Sequence, residues 1–435
     1  MDNKKRFEKI VKLIDKNTEA DDYIINYNFN NNALTRFANN MVTQNVDVDK
    51  EKLDLTLYFD GKKGNLITAD LSEDSIKSLI KKCENIAKNS VKDKEYMPSL
   101  SDDGVEDTHK VDKKILEMGP EKRAELANVA IQNANKENVK VYGTVNNTTD
   151  NFGVATKNGL FKFHEKTTAN YSNTVDYKDE KGANFLSGYD LSSIDNAKVD
   201  RVFYEALNDS KTLENRKDFE PGRYKILLSA KAATKLFIWM GFFGASRRAV
   251  DEGYSPYVGK IGKKIVDERI NFYTDPLNDR APSKPFTDEG LQIEKKYLIK
   301  NGVLKDLPCG RFWADKNNYK PWAVSNIIID DTDKSEKELI KQIDKGFYIR
   351  DLWYIRMVKR DDFTLTGMTR NGFLYVEDGE IQSGAIHYRW NDSPLRMLDN
   401  IIDIGKGAAN LNSWYSIYVP SLLIDNFYLS SKTLF

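Results

Sequence analysis

The sequence predicts an α+β fold, and three observations carry that reading. Apolar residues recur at helical spacing in a few capped segments. Most other apolar residues fall in short alternating runs closed by glycine-bearing turns. The two patterns are segregated, without the regular strand–helix–strand alternation of a parallel α/β sheet.

Taken in order, Phe7, Ile10, Val11 and Ile14 share one face and predict a helix over residues 4–16. Short strands follow at 22–28, 34–37, 42–48 and 53–58, the last closed by Asp60-Gly61. Ser72 caps a second helix carrying Ile76, Leu79, Ile80, Cys83 and Ala87 on its apolar side. That placement predicts Cys83 to be a core residue. Residues 92–112 are polar and aperiodic and read as a linker. Beyond them come a helix over 121–136, a strand over 139–145, a meander over 152–175 turning at Gly153 and Gly159, and a helix over 199–208. The break at Phe219-Glu220-Pro221-Gly222 leads into a strand over 224–229. One hydrophobic helix is expected over 230–250. Another is expected over 335–345, with Ser335 and Glu338 as a capping box and Gly346 at its end. These patterns divide the chain into residues 1–95 and 112–217, two N-terminal subdomains, and 218–435, a larger strand-rich unit around a buried apolar helix.

The composition narrows the function. Lys plus Arg and Asp plus Glu are both 66 in 435 residues, so no basic excess marks a nucleic-acid binder. Two cysteines, Cys83 and Cys309, argue against a disulfide framework and for a reducing compartment. The N-terminal residues carry no signal-peptide pattern, and the apolar run 236–243 is too short to span a bilayer. A cytoplasmic protein without membrane contact is the expectation.

Local motifs do not declare a chemistry. Of three histidines, His109 falls in the polar linker and reads as a surface residue. His164-Glu165 begins a metalloprotease-like string, but Thr168 stands where a second histidine belongs, and the flanking alternation is that of a strand. His387 has no partner in the sequence. Cys309 has no local base, and no cysteine–histidine spacing suits zinc.

A series of phrases spans nearly the whole chain. Thr35-Arg36-Phe37-Ala38-Asn39-Asn40 with Gln44-Asn45, Asn151-Phe152-Gly153-Val154 and Pro221-Gly222-Arg223-Tyr224 come first. Ser255 with Gly259-Lys260-Ile261-Gly262, then Asp275-Pro276 and Phe286-Thr287-Asp288-Glu289-Gly290, follow. Leu298-Ile299-Lys300-Asn301-Gly302-Val303-Leu304-Lys305, Ser325-Asn326, Thr366-Gly367-Met368 and Glu377-Asp378-Gly379-Glu380-Ile381 complete the set. In this order the phrases resemble the TldD/PmbA family, once called modulators of DNA gyrase.

The resemblance implies a peptide-handling dimer. In the TldD branch a helix carries His-Glu-x-x-x-His and a C-terminal cysteine adds a third zinc ligand, whereas the PmbA, or TldE, branch lacks the motif. Counting back from Ser255 places the ligand slots on Ile238, Trp239 and Phe243, and Gly405-Lys406-Gly407-Ala408-Ala409 occupies the cysteine region. The expectation is therefore a non-catalytic, TldE-like subunit with no cofactor of its own, paired with a TldD-like metallopeptidase that holds the zinc. The resemblance offers Arg36, Gln44, Asn45, Asn326 and Gly367 as cleft or peptide-binding candidates. A stand-alone homodimer that binds extended peptides is the alternative. A third reading is a peptidase working through Cys309 or His387.

Overall fold

The computed structural model describes residues 2–104, 107–411 and 415–433. Its first sheet is built on two very long strands, β1 (Asp22–Ala38) and β2 (Met41–Phe59). They meet at Asn39 and Asn40, both left-handed with φ of 50° and 59°. Asparagine tolerates that conformation better than most residues, and two such residues in succession suit a tight hairpin. The four short strands expected between 22 and 58 are thus two continuous ones. The polar middle misleads because β1 is hydrogen-bonded on both sides, to β2 and to β5 (Lys140–Thr156), so its ladder continues without apolar side chains. Polar cross-strand pairs take their place, with Asn30 Nδ2 donating to Asp150 Oδ1 at 2.7 Å and Asn31 Nδ2 to Asp47 Oδ1 at 2.7 Å.

Strands β3 (Lys62–Thr68), β4 (Thr108–Lys110), β6 (Phe161–Tyr177) and β7 (Glu180–Gly188) complete this sheet in the order β3-β2-β1-β5-β6-β4, with β7 also on β6. Strands from 1–95 and from 112–217 therefore share one sheet. The stretch read as a linker contributes β4. Gly159 turns the chain with φ of 91°, as expected. Gly153 does not turn; it lies within β5, where a Cβ would sit 2.5 Å from the Phe7 ring.

Helices α1 (Asn3–Asn17) and α2 (Glu73–Asn89) bury Phe7, Ile10, Ile14, Ile76, Leu79, Ile80 and Cys83 in one core. Short α3 (Lys113–Leu116) precedes α4 (Pro120–Lys136), and α4 packs with α5 (Asn196–Leu213) on a second.

The second sheet collects twelve strands. They are β8 (Arg216–Lys217), β9 (Gly222–Leu228), β10 (Phe272–Thr274), β11 (Lys296–Lys300), β12 (Val303–Leu304), β13 (Asn326–Ile329), β14 (Lys345–Lys359), β15 (Thr364–Glu377), β16 (Glu380–Ala385), β17 (Tyr388–Asp392), β18 (Ile401–Asn410) and β19 (Ser416–Lys432). Part of it closes on itself: β19 pairs with β9, β9 with β14, β14 with β15, β15 with β17, and β17 with β19. A closed ring leaves those strands few free edges. Phe347, Phe373, Tyr388, Trp390 and Phe427 belong to its buried core.

Two helix expectations change. The helix over 230–250 is broken into α6 (Ala230–Trp239), a π-turn at Met240–Gly244, and α7 (Arg247–Asp251) capped by Ser246. The helix over 335–345 is only α9 (Glu336–Ile340), following α8 (Arg311–Asn317) in chain order and preceding α10 (Pro394–Asp399). Its Ser335–Glu338 capping box forms, but Gly346 lies in β14, where a Cβ would meet the Lys225 carbonyl oxygen at 2.1 Å.

Candidate functional site

The site is built on α6. Strand β9 delivers Ser229, whose Oγ accepts from the Ala232 N–H at 3.1 Å and donates to the Arg350 carbonyl at 2.7 Å. A helix start is thereby fixed to β14. Ala232, Ala233, Leu236, Phe237 and Met240 are fully buried against the second sheet. Ile238 and Trp239 are half-buried, and Phe242 and Phe243 are 46% and 49% exposed. The apolar helix expected to be buried is thus only partly covered within one chain. The rings instead stack on each other: Trp239 and Phe243 lie 4.0 Å apart between centroids, and Phe242 meets Phe243 at 5.1 Å and Tyr415 at 5.9 Å.

The π-turn bears on the ligand slots. At 3.6 residues per turn, positions i and i+5 lie about 140° apart around an α-helix and do not share a face. An i→i+5 turn is wider and brings them nearer together. Ile238 and Phe243 have this spacing, and the turn begins between them at Met240. Its carbonyls are held from outside: Tyr257 Oη donates to Met240 O at 3.3 Å, and Ser255 Oγ to Gly244 O at 2.8 Å. Gly244 is closed in by the Tyr257 ring, 2.6 Å from where a Cβ would stand. The family phrase beginning at Ser255 is therefore a clasp on this turn, a role its spacing does not disclose. Replacing Ser255 with alanine leaves the Tyr257 N–H without its partner and the Gly244 carbonyl with only the Ser246 N–H, at 3.0 Å. It should cost about 1–3 kcal/mol in urea unfolding; an unchanged midpoint would remove the clasp.

A metal fits poorly here. Isoleucine, tryptophan and phenylalanine offer no ligating atom, and among the described residues no group of three or more His, Cys, Asp or Glu side chains converges. Gly405, Gly407, Ala408 and Ala409 of β18 add none.

The cleft candidates fall in two places. Arg36 and Gln44 are cross-strand partners and exposed, and Asn45 pairs with Thr35 on the same ribbon. Asn45 Oδ1 accepts from Thr35 Oγ1 at 2.9 Å and from the buried Arg123 guanidinium at 3.3 Å. Asn326 and Gly367 lie in the second sheet. Asn326 is fully buried: its Oδ1 accepts from Thr274 Oγ1 and Asp275 N, and its Nδ2 donates to the carbonyls of Asp275 and Ala281. That uses its whole hydrogen-bonding capacity. Gly367 lies under the Trp390 indole, 2.8 Å from the position a Cβ would take.

Cys309, His164 and His387 are packed, whereas His109 is at the surface. Cys309 is buried, and that burial raises its thiol pKa, against thiolate chemistry. His109 is exposed and lies 3.3 Å from Glu165. His164 is a strand residue with Nδ1 2.7 Å from Thr108 Oγ1 and a buried, unpartnered Nε2. Burial lowers its pKa to about 3, and burial lowers that of His387 to about 4 with Arg216 and Arg370 contributing.

Both folded values lie below the unfolded histidine value near 6.5, so below that pH the unfolded chain binds more protons. The stability is complete above about pH 6.5 and is lost as pH falls toward 4, at about 1.4 kcal/mol per pH unit for each histidine. A His164→Asn variant should lose stability less steeply across this window than the parent in pH-dependent urea melts. Parallel curves would contradict the assignment.

Comparison with known proteins follows the same outline. The PmbA/TldA metallopeptidase C-terminal domain matches residues 221–431. A PmbA homologue described as a metalloprotease, from Buchnera aphidicola subsp. Acyrthosiphon pisum, is 23% identical over 423 residues and 90% of each chain. An Archaeoglobus fulgidus metalloprotease is 27% identical over 164 residues, 35% of this chain, and the match spans only 38% of that relative's length. TldE of Thermococcus kodakarensis superposes with a TM-score of 0.88 at 17% identity, over 98% of this chain and 99% of that one. A Bacteroides thetaiotaomicron protein described as a modulator of DNA gyrase gives 0.85 at 18%, over 99% of each.

Proposed function

From the premise that this chain belongs to the TldD/PmbA family, we propose that it is a TldE-like, non-catalytic subunit. Its partner would be a TldD-like metallopeptidase, and the pair would process or degrade peptides in the cytoplasm. The observation that carries the reading is that the ligand slots the resemblance gives, on α6 and its π-turn, are filled by Ile238, Trp239 and Phe243. Zinc would belong to the partner, because these three side chains have nothing to hold it.

The half-exposed Phe242 and Phe243 support the partnership. Large aromatics at a surface gain most from burial against another protein. No helix among the described residues is long and apolar enough to cross a membrane.

The test is co-purification of the full chain with its host's His-Glu-x-x-x-His homologue, with metal analysis and peptide hydrolysis of the complex. Zinc and activity should appear with the pair and not with this chain alone. Stoichiometric zinc on the isolated chain would sink the proposal. A stable homodimer that ignores the homologue would favour the peptide-binding alternative.

A further inference from the structure

Away from α6, a cavity of about 560 Å3 opens where β7 and β8 approach β14, β15 and β17. Ile238, Trp239 and Phe243 do not line it. Its walls combine cations with aromatic rings, and the backbone has been bent to produce them. β14 breaks register between Trp353 and Arg356, and Tyr354 adopts φ of 54°. A bulky aromatic residue rarely takes a left-handed conformation, so the surrounding structure enforces it. Both rings are left exposed in the free chain, Trp353 by 44% and Tyr354 by 53%.

The charges are unbalanced. Lys181, Arg216, Arg370 and Arg389 line the cavity against a single carboxylate, Asp179. Arg216 is neutralised by Glu180, and Lys181 has Asp176 at 3.9 Å. Among the described residues, no carboxylate lies within ion-pair distance of Arg370 or Arg389. Arg370 stacks over Trp353 at 4.2 Å, and Arg389 donates only to the Thr366 hydroxyl at 3.3 Å. Stacking on an aromatic face engages the plane of a guanidinium and leaves its N–H edge for an acceptor.

His387 adds a neutral donor. Thr369 Oγ1 accepts the Tyr388 N–H at 3.1 Å and lies 3.2 Å from His387 Nδ1. In the tautomer where Thr369 donates to Nδ1, the ring hydrogen is on Nε2.

We propose that this cavity binds a small organic anion, a carboxylate or a phosphate joined to a planar apolar body. Arg370, Arg389 and His387 take the anionic end, and Trp353 and Tyr354 the body. The volume lies within the range of small-molecule sites, and guanidinium donors match either oxyanion. The proposal is independent of any partner subunit.

Titration calorimetry on the full chain at low ionic strength tests it, with 3-phenylpropionate, phenyl phosphate and the neutral 3-phenylpropionamide as probes. At least one anion should bind with submillimolar affinity and the amide at least tenfold more weakly. The tighter anion identifies carboxylate or phosphate as the source. R370Q/R389Q should weaken the anion tenfold or more, and Trp353→Leu, which keeps every charge, should weaken it severalfold. Circular dichroism and thermal melts confirm that both variants fold. Binding of neither anion, equal binding of the amide, or affinity unchanged in the folded arginine variant would overturn the site.

Discussion

Replacing Arg350 with methionine should lower the unfolding free energy by about 3–5 kcal/mol, the range for removing one partner of a buried ion pair. Arg350 on β14 holds Asp209 on α5, with Nε 2.7 Å from Oδ2 and Nη2 donating to Oδ1 at 3.1 Å. The two side chains are 16% and 6% exposed. Arg350 also donates to Glu336 at 3.2 Å and stacks over Tyr348 at 4.4 Å. Burial pushes the Asp209 carboxyl up while Arg350 opposes that shift. Without the guanidinium, Asp209 must take a proton or stand charged in the interior. Urea unfolding of R350M reads the cost, and adding Asp209→Asn should restore at least half of it by removing the stranded charge. No recovery in the double variant would mean that lost packing, not charge, is responsible. Because Asp209 and Arg350 belong to different sheets' layers, the loss should appear as weaker docking of the first unit on the second.

The other large effect concerns association. Phe242→Asp with Phe243→Asp places two carboxylates where the proposed subunit interface needs apolar cover, and should weaken binding to a TldD-like partner by about 100-fold or more. Both rings are already half in water. The chain's own melting should therefore change little. Sedimentation or calorimetry with the partner reads the affinity, and an unchanged dissociation constant places the interface elsewhere.

Sequence patterns were most legible where one segment both makes and completes its structure. Ser72 and the Ile76–Ala87 stripe suffice for α2, and Ser335 with Glu338 for the start of α9. They misled where neighbours decide. The asparagine-rich middle of β1 is a strand because β2 and β5 flank it. The π-turn at Met240–Gly244 depends on Tyr257 and Ser255 arriving later in the chain. The assignment of ligand slots to Ile238, Trp239 and Phe243 rests on the resemblance, which supplies a register that no local pattern carries. The cationic cavity was not, since its lining comes from positions 179 to 433 and no stretch of it carries a motif.

The strand closure described for the second sheet also sets a schedule for synthesis. Strand β9 ends at Leu228, and its antiparallel neighbour β19 begins at Ser416. At about 5–20 residues per second, a ribosome needs roughly 10–40 s to bridge that gap. During that interval Ile226, Leu227 and Leu228 have no β19 to cover them. Shielding of this sheet edge should therefore be needed until β19 emerges.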